Sequence, residues 1–124
     1  MAINIKQIFF WLAFTASLLL FFTPVPTGGR DEFDLDKVMH IAVFFTLILT
    51  ARFAYPNKKI VFAVILVVYA FVSEFIQGRY LPLRHFDWYD IAADLIGLAA
   101  GLLAILIFFS RKVVEQNKNE SPAE

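Results

Sequence analysis

Four long apolar runs, each touched by charge only near its ends, dominate the pattern along the chain. They cover about 5–22, 38–55, 60–77 and 91–109. Lys6 lies at the edge of the first. His40 and Arg52 lie near the two ends of the second, Glu74 near the end of the third and Asp94 near the start of the fourth. None of the runs alternates in polarity, as a strand of a membrane barrel must. They are apolar on all sides, which suits helices that satisfy their own backbone hydrogen bonds in lipid. At 1.5 Å per residue an 18-residue helix spans about 27 Å, close to the thickness of the hydrocarbon core. The pattern therefore predicts an all-α integral membrane protein, with four transmembrane helices in an antiparallel bundle over 1–112 and a polar, disordered tail over 113–124. The first run has the composition of a signal peptide. However, Thr23-Pro24-Val25-Pro26 follows it rather than a small-residue cleavage site, so it reads as a retained helix.

Composition sharpens this picture. Of the 124 residues 60% are hydrophobic and only 18% are charged, against roughly 45–50% and about 25% in soluble domains. The excess requires a lipid-facing surface, and the bilayer is the first partner. Eleven basic residues balance eleven acidic ones, so the basic footprint of a nucleic-acid binder is missing. There are no cysteines, which excludes disulfides, thiolate catalysis and Cys-type metal sites. No cofactor or metal set is assigned, and homo-oligomerisation is left open.

Charge also orients the helices, because Lys and Arg accumulate on the cytoplasmic side. The N-terminus, the second connection and the tail carry Lys6, Arg52, Lys58, Lys59, Arg111, Lys112 and Lys118. The first and third connections carry Arg30, Lys37, Arg79 and Arg84. Seven against four favours both termini in the cytoplasm. Tyr55-Pro56-Asn57-Lys58-Lys59 reads as a tight inner turn, since Pro cannot continue the helix. Arg111-Lys112 reads as the inner stop of the fourth helix.

With that orientation His40, Glu74, Gln77 and Asp94 fall at one membrane depth, at the outer ends of three helices. Ionisable groups in the membrane zone normally face a bundle interior or a wet cavity, so a common pocket is expected. Asp90, Asp94, Gly97 and Gly101 are spaced four, three and four apart and form one stripe down the fourth helix. Gly97-x-x-x-Gly101 permits close helix approach and reads as a packing device. Glu74 and Gln77 share a face, as do Asp36 and His40, with Lys37 beside them. Asp31, Glu32 and Asp34 read as a solvated acidic loop, Arg52 as an interfacial anchor, Trp11 as a mid-helix residue, and Tyr80, Trp88 and Tyr89 as an aromatic belt. A structural ion pair between Glu74 and Arg84 is one reading of those two residues.

The ordered set Asp36-Lys37-x-x-His40, Glu74-x-x-Gln77, Pro82-x-Arg84, Asp90 and Gly97-x-x-x-Gly101 resembles the VanZ-like membrane proteins over roughly residues 34–105. The family's usual Asn four residues beyond the motif Asp is Asp94 here, which adds an acid. The resemblance implies a small protein of the bacterial inner membrane and cell envelope. The founding member is linked to resistance to the glycopeptide teicoplanin, a phenotype that is not carried over to this chain.

Three functions compete. The first is binding of an anionic envelope lipid, a lipid-linked cell-wall precursor or a glycopeptide-like ligand in an outer-leaflet pocket. Asp36, Lys37, His40, Glu74, Gln77, Arg84, Asp90 and Asp94 are the binding candidates, with Arg84 suited to phosphate or carboxylate. The second is a membrane hydrolase or transferase acting on a lipid head group or wall precursor. His40 and Glu74 are its catalytic candidates, or else His40, Glu74, Asp94 and His85 hold a cation that activates water. The third, a transporter or proton channel, lacks a polar path through the inner halves of the helices.

Overall fold

A computed structural model describes residues 2–23, 30–82 and 84–121, with side chains in the second stretch from residue 35 onward. It contains helices α1 (Ile5–Phe22), α2 (Arg30–Ala54), α3 (Lys59–Tyr80) and α4 (Trp88–Glu120). Among the described residues there is no strand. Each helix carries a stretch long and apolar enough to cross a bilayer. The fold is thus the all-α antiparallel bundle that the pattern predicts, and the chain is a multi-pass membrane protein.

Local chemistry explains most helix ends. Asn4 caps α1 reciprocally with Gln7. The Asn4 side chain accepts from the Gln7 N–H at 3.0 Å, and the Gln7 side chain accepts from the Asn4 N–H at 3.2 Å. Tyr55 and Leu81 each precede a proline, which disfavours helical backbone, and α2 and α3 stop just before them. Asp87 caps α4, its Oδ1 accepting from the Tyr89 N–H at 2.8 Å; a short acid ahead of a helix is a favoured N-cap.

Two helices run further than the apolar pattern predicts. α2 begins at Arg30 rather than 38, so the backbone of 31–34 is helical and not a loop. Neither Gly nor Pro lies between 30 and 54 to interrupt it. α4 continues through Arg111-Lys112 to Glu120, which corrects the expectation of a disordered tail over most of its length. The segment after 109 includes Arg, Lys, Glu and Gln with no Gly or Pro before Pro122, and a helix already nucleated extends easily through such residues. Residues 122–124 of that tail lie outside the described residues, as do 24–29 with the sequence after the first apolar run.

α2 is the central element. It packs most extensively on α4, then on α1 and α3, while α1 and α4 do not meet among the described residues. Phe44, Leu47, Ile48 and Ala51 of α2 are buried against Phe10, Phe21, Leu66, Ala70, Leu98 and Ile105. Phe9, Leu12, Val64, Val68, Leu103 and Ile107 face outward and form the surface for lipid. At the end of the bundle that carries the Tyr55–Lys58 turn, Trp11 Nε1 donates to the Tyr55 hydroxyl at 3.2 Å, so Trp11 belongs to that end. The Arg52 guanidinium lies 4.2 Å from the centroid of the Phe109 ring, a cation–π contact that suits an anchor. In the interior, Ser17 Oγ donates to the Phe14 carbonyl at 2.7 Å and lies 2.9 Å from the Tyr69 hydroxyl. With its one proton used on Phe14, Ser17 accepts from Tyr69.

The α2–α4 seam depends on bare backbone. A Cβ at Gly97 would collide with the Ile41 backbone carbonyl, and one at Gly101 with the Ile48 side chain. Gly97→Ala should therefore lower stability by about 1–3 kcal/mol, the usual range for overpacking. Gly101→Ala should cost less, because a side chain yields more readily than a carbonyl. Thermal unfolding in detergent checks both, and equal stability of Gly97→Ala and the parent would overturn the close seam.

Candidate functional site

The stripe on α4 faces α2. Asp90, Asp94, Gly97 and Gly101 are all buried, and His40 on α2 meets Asp94 across the seam. His40 Nδ1 and Asp94 Oδ1 are 2.7 Å apart, with His40 at 1% and Asp94 at 0% exposure. With Asp94 as the accepting carboxylate Nδ1 carries the shared proton, and in the neutral imidazole Nε2 then keeps a lone pair. Phe21 of α1 stacks on the imidazole, with ring centroids 4.7 Å apart and planes at 21°. At the other ring nitrogen Asp36, one helical turn back, places Oδ1 4.0 Å from His40 Nε2.

Lys37 reaches from α2 to the start of α4. Its Nζ donates to Asp87 Oδ2 at 3.1 Å and to Asp90 Oδ1. The 84–87 segment folds back over the end of α3. Arg84 Nη1 donates to Gln77 Oε1 at 3.1 Å, and Arg84 Nη2 lies 3.9 Å from Asp36 Oδ1. The Asp87 backbone N–H donates to Glu74 Oε1 at 2.8 Å. Glu74 is also within electrostatic reach of His40, Asp90 and Asp94. All eight binding candidates thus gather at one end of the bundle, around residues from α2, α3 and α4.

The pairings differ from the simplest expectation. Among the described residues no ion pair joins Glu74 to Arg84. Glu74 is held by a backbone N–H, and Arg84 turns to Gln77 and Asp36. The reason is local: the turn after α3 brings the peptide of Asp87 onto Glu74 and carries the guanidinium past it to the next helical turn. His85 is exposed, and among the described residues it does not join His40, Glu74 or Asp94 in a group of possible metal ligands. Ser73 bonds to the Ala70 carbonyl at 3.1 Å.

Three contributors escaped the sequence reading as site residues. Asp87 caps α4, holds Lys37 and gives its N–H to Glu74; its position ahead of an apolar helix was the available signal. Gly78 has Phe86 N and Cα only 2.7 and 2.9 Å from where its Cβ would stand, so only glycine lets the 84–87 segment lie against α3. Phe21 carried no signal, being one of many Phe in a uniform run.

The site leaves several buried polar atoms without a hydrogen-bond partner: His40 Nε2, Glu74 Oε2, Gln77 Nε2, Arg84 Nε and Asp94 Oδ2. Buried polar atoms are normally satisfied, by protein, water or ligand. Five such atoms on one cluster mark a place that can take polar molecules.

A protein of the fission yeast Schizosaccharomyces pombe, described as an uncharacterized protein, is 36% identical to this chain over 83 residues, covering 63% of this chain and 51% of that protein. The chain spans about half the length of this curated relative. No family model matches the chain, and no solved structure matches it.

The buried pair gives a direct test. Asp94→Ala should lower stability by about 1.5–3 kcal/mol, as expected for losing a hydrogen bond to a charged group, and Asp94→Asn, which keeps an acceptor, by less. A double-mutant cycle with His40→Ala should show coupling above about 1 kcal/mol, and larger than that for Glu74→Ala with Arg84→Ala. Additive losses at His40 and Asp94 would contradict the pairing.

Proposed function

We propose that the protein is a VanZ-like membrane protein that binds the polar head group of an envelope lipid or lipid-linked cell-wall precursor at the end of the bundle formed around His40, Glu74, Arg84 and Asp94. The observation that carries this reading is the set of orphaned atoms and their mixed character. Arg84 Nε and Gln77 Nε2 are donors, while Glu74 Oε2 and Asp94 Oδ2 are acceptors. A head group with both an anionic oxygen and hydroxyl, amide or amine protons matches the two sets together; a glycopeptide-like ligand offers the same mixture. Lys37 is tied to Asp87 and Asp90, so Arg84 is the cation that meets the anionic group. Exposed Tyr80, Trp88 and Tyr89 at the same end suit a lipid–water interface.

The seven-to-four charge asymmetry supports both termini in the cytoplasm, which puts the site at the outer leaflet. The bacterial inner membrane and the link to the cell envelope rest on the VanZ-like residues alone. The fission-yeast relative has no stated activity to add. The His40–Asp94 pair favours a second reading, a hydrolase or transferase acting on the same head group. A carboxylate-oriented imidazole with a free Nε2 is the arrangement of a general base.

Mass spectrometry of the native protein should find a co-purifying lipid or wall precursor that is lost in Arg84→Ala while the variant stays folded. Retention of the same lipid in that variant would remove the head-group reading. Turnover of lipid-linked precursor by the purified protein, abolished in His40→Gln, would move the assignment to the enzyme. Single cysteines replacing Lys58 and His85 should label from opposite faces of the membrane, and outside labelling at position 58 would reverse the orientation.

A further inference from the structure

We propose that Asp36, His40 and Asp90 form a binding site for one divalent transition-metal cation of the zinc or manganese class. One ligand atom from each of these residues lies within 4.8 Å of the others, so shifts of about an ångström bring them to the separations of ligands around an ion bound at roughly 2.0–2.2 Å. A group of acids alone would not make such a site. The second observation is the buried imidazole. His40 Nδ1 is committed to Asp94, and its Nε2, unpartnered in a side chain that is 1% exposed, is the nitrogen 4.0 Å from Asp36 Oδ1. A histidine whose far nitrogen donates to a buried carboxylate is held in the tautomer and orientation that metal ligation needs.

The remaining groups allow it. Asp90 Oδ1 accepts from Lys37 Nζ, but a carboxylate has two oxygens and about four lone-pair sites, so it can serve the ammonium and an ion together. Arg84 Nη2 stands 3.9 Å from Asp36 Oδ1, too far to occupy it as a hydrogen bond. The Asp36 side chain is 28% exposed, which provides access from outside. Among the described residues the cluster formally holds five carboxylates, on Asp36, Glu74, Asp87, Asp90 and Asp94, against the two cations Lys37 and Arg84, so a divalent ion reduces an excess of negative charge there. One imidazole with two carboxylates suits zinc or manganese, whereas magnesium prefers an oxygen shell with several waters.

The inference stands apart from the head-group reading, because its test uses the metal alone. The full-length chain in detergent, free of any affinity tag and stripped by chelator, is titrated with Zn²⁺, Mn²⁺ and Mg²⁺ by calorimetry. We expect one Zn²⁺ per chain, weakened at least tenfold in Asp36→Asn and in Asp90→Asn and unchanged in His85→Ala. Visible absorption of the Co²⁺-loaded protein should report nitrogen ligation that disappears in His40→Gln. Asp36 is half-buried and outside the packed core, so Asp36→Asn keeps the test sound if Asp90→Asn or His40→Gln fails to fold. Absence of stoichiometric Zn²⁺ binding, equal affinity in Asp36→Asn and the parent, dependence on His85, or Mg²⁺ binding as tight as Zn²⁺ would each overturn the site.

Discussion

The contact between His40 and Asp94 organises the rest of the bundle. A carboxylate with no exposed surface is costly in any protein and more so near lipid, and an imidazole on the facing helix is what offsets that cost here. The pair can form only because α2 and α4 approach to backbone contact, which Gly97 and Gly101 permit. Their spacing on α4 places the acids and the small residues on one face. Thus a single periodicity supplies both the polar partner and the room to reach it. Around this link the other charges fall into place: Lys37 spans to the start of α4, and Asp36 and Arg84 close the side that faces outward.

The acid at position 94 also distinguishes this chain within the resemblance to VanZ-like proteins, whose usual residue there is Asn. An amide could accept the same hydrogen bond from His40 Nδ1 without charge. The carboxylate does so while adding negative charge to a group already rich in it. The buried group behind Arg84 is therefore richer in carboxyls than the resemblance alone implies.

The fold was legible because apolar runs of bilayer length have few alternatives. The gathering of His40, Glu74, Gln77 and Asp94 was legible for a related reason: charged and amide groups in lipid have to find one another. The pairing was less so. Glu74 and Arg84 are opposite in charge and share a depth, yet the turn after α3 gives Glu74 a backbone N–H instead, a choice set by Gly78 and the path of 84–87 and invisible to charge counting. The extents of α2 and α4 were missed because hydropathy marks only where lipid begins and ends, whereas a nucleated helix stops at a backbone obstacle. In α4 that obstacle comes only after the polar stretch beyond Arg111.

The length of α4 has a mechanical consequence. A single unbroken rod joins Asp94 to Lys112, 18 residues and about 27 Å along the axis, with no proline to act as a joint and its last glycine at position 101. Torque applied to the exposed polar section beyond it would be delivered to the carboxylates at the opposite end, and any twist imposed there would return by the same shaft.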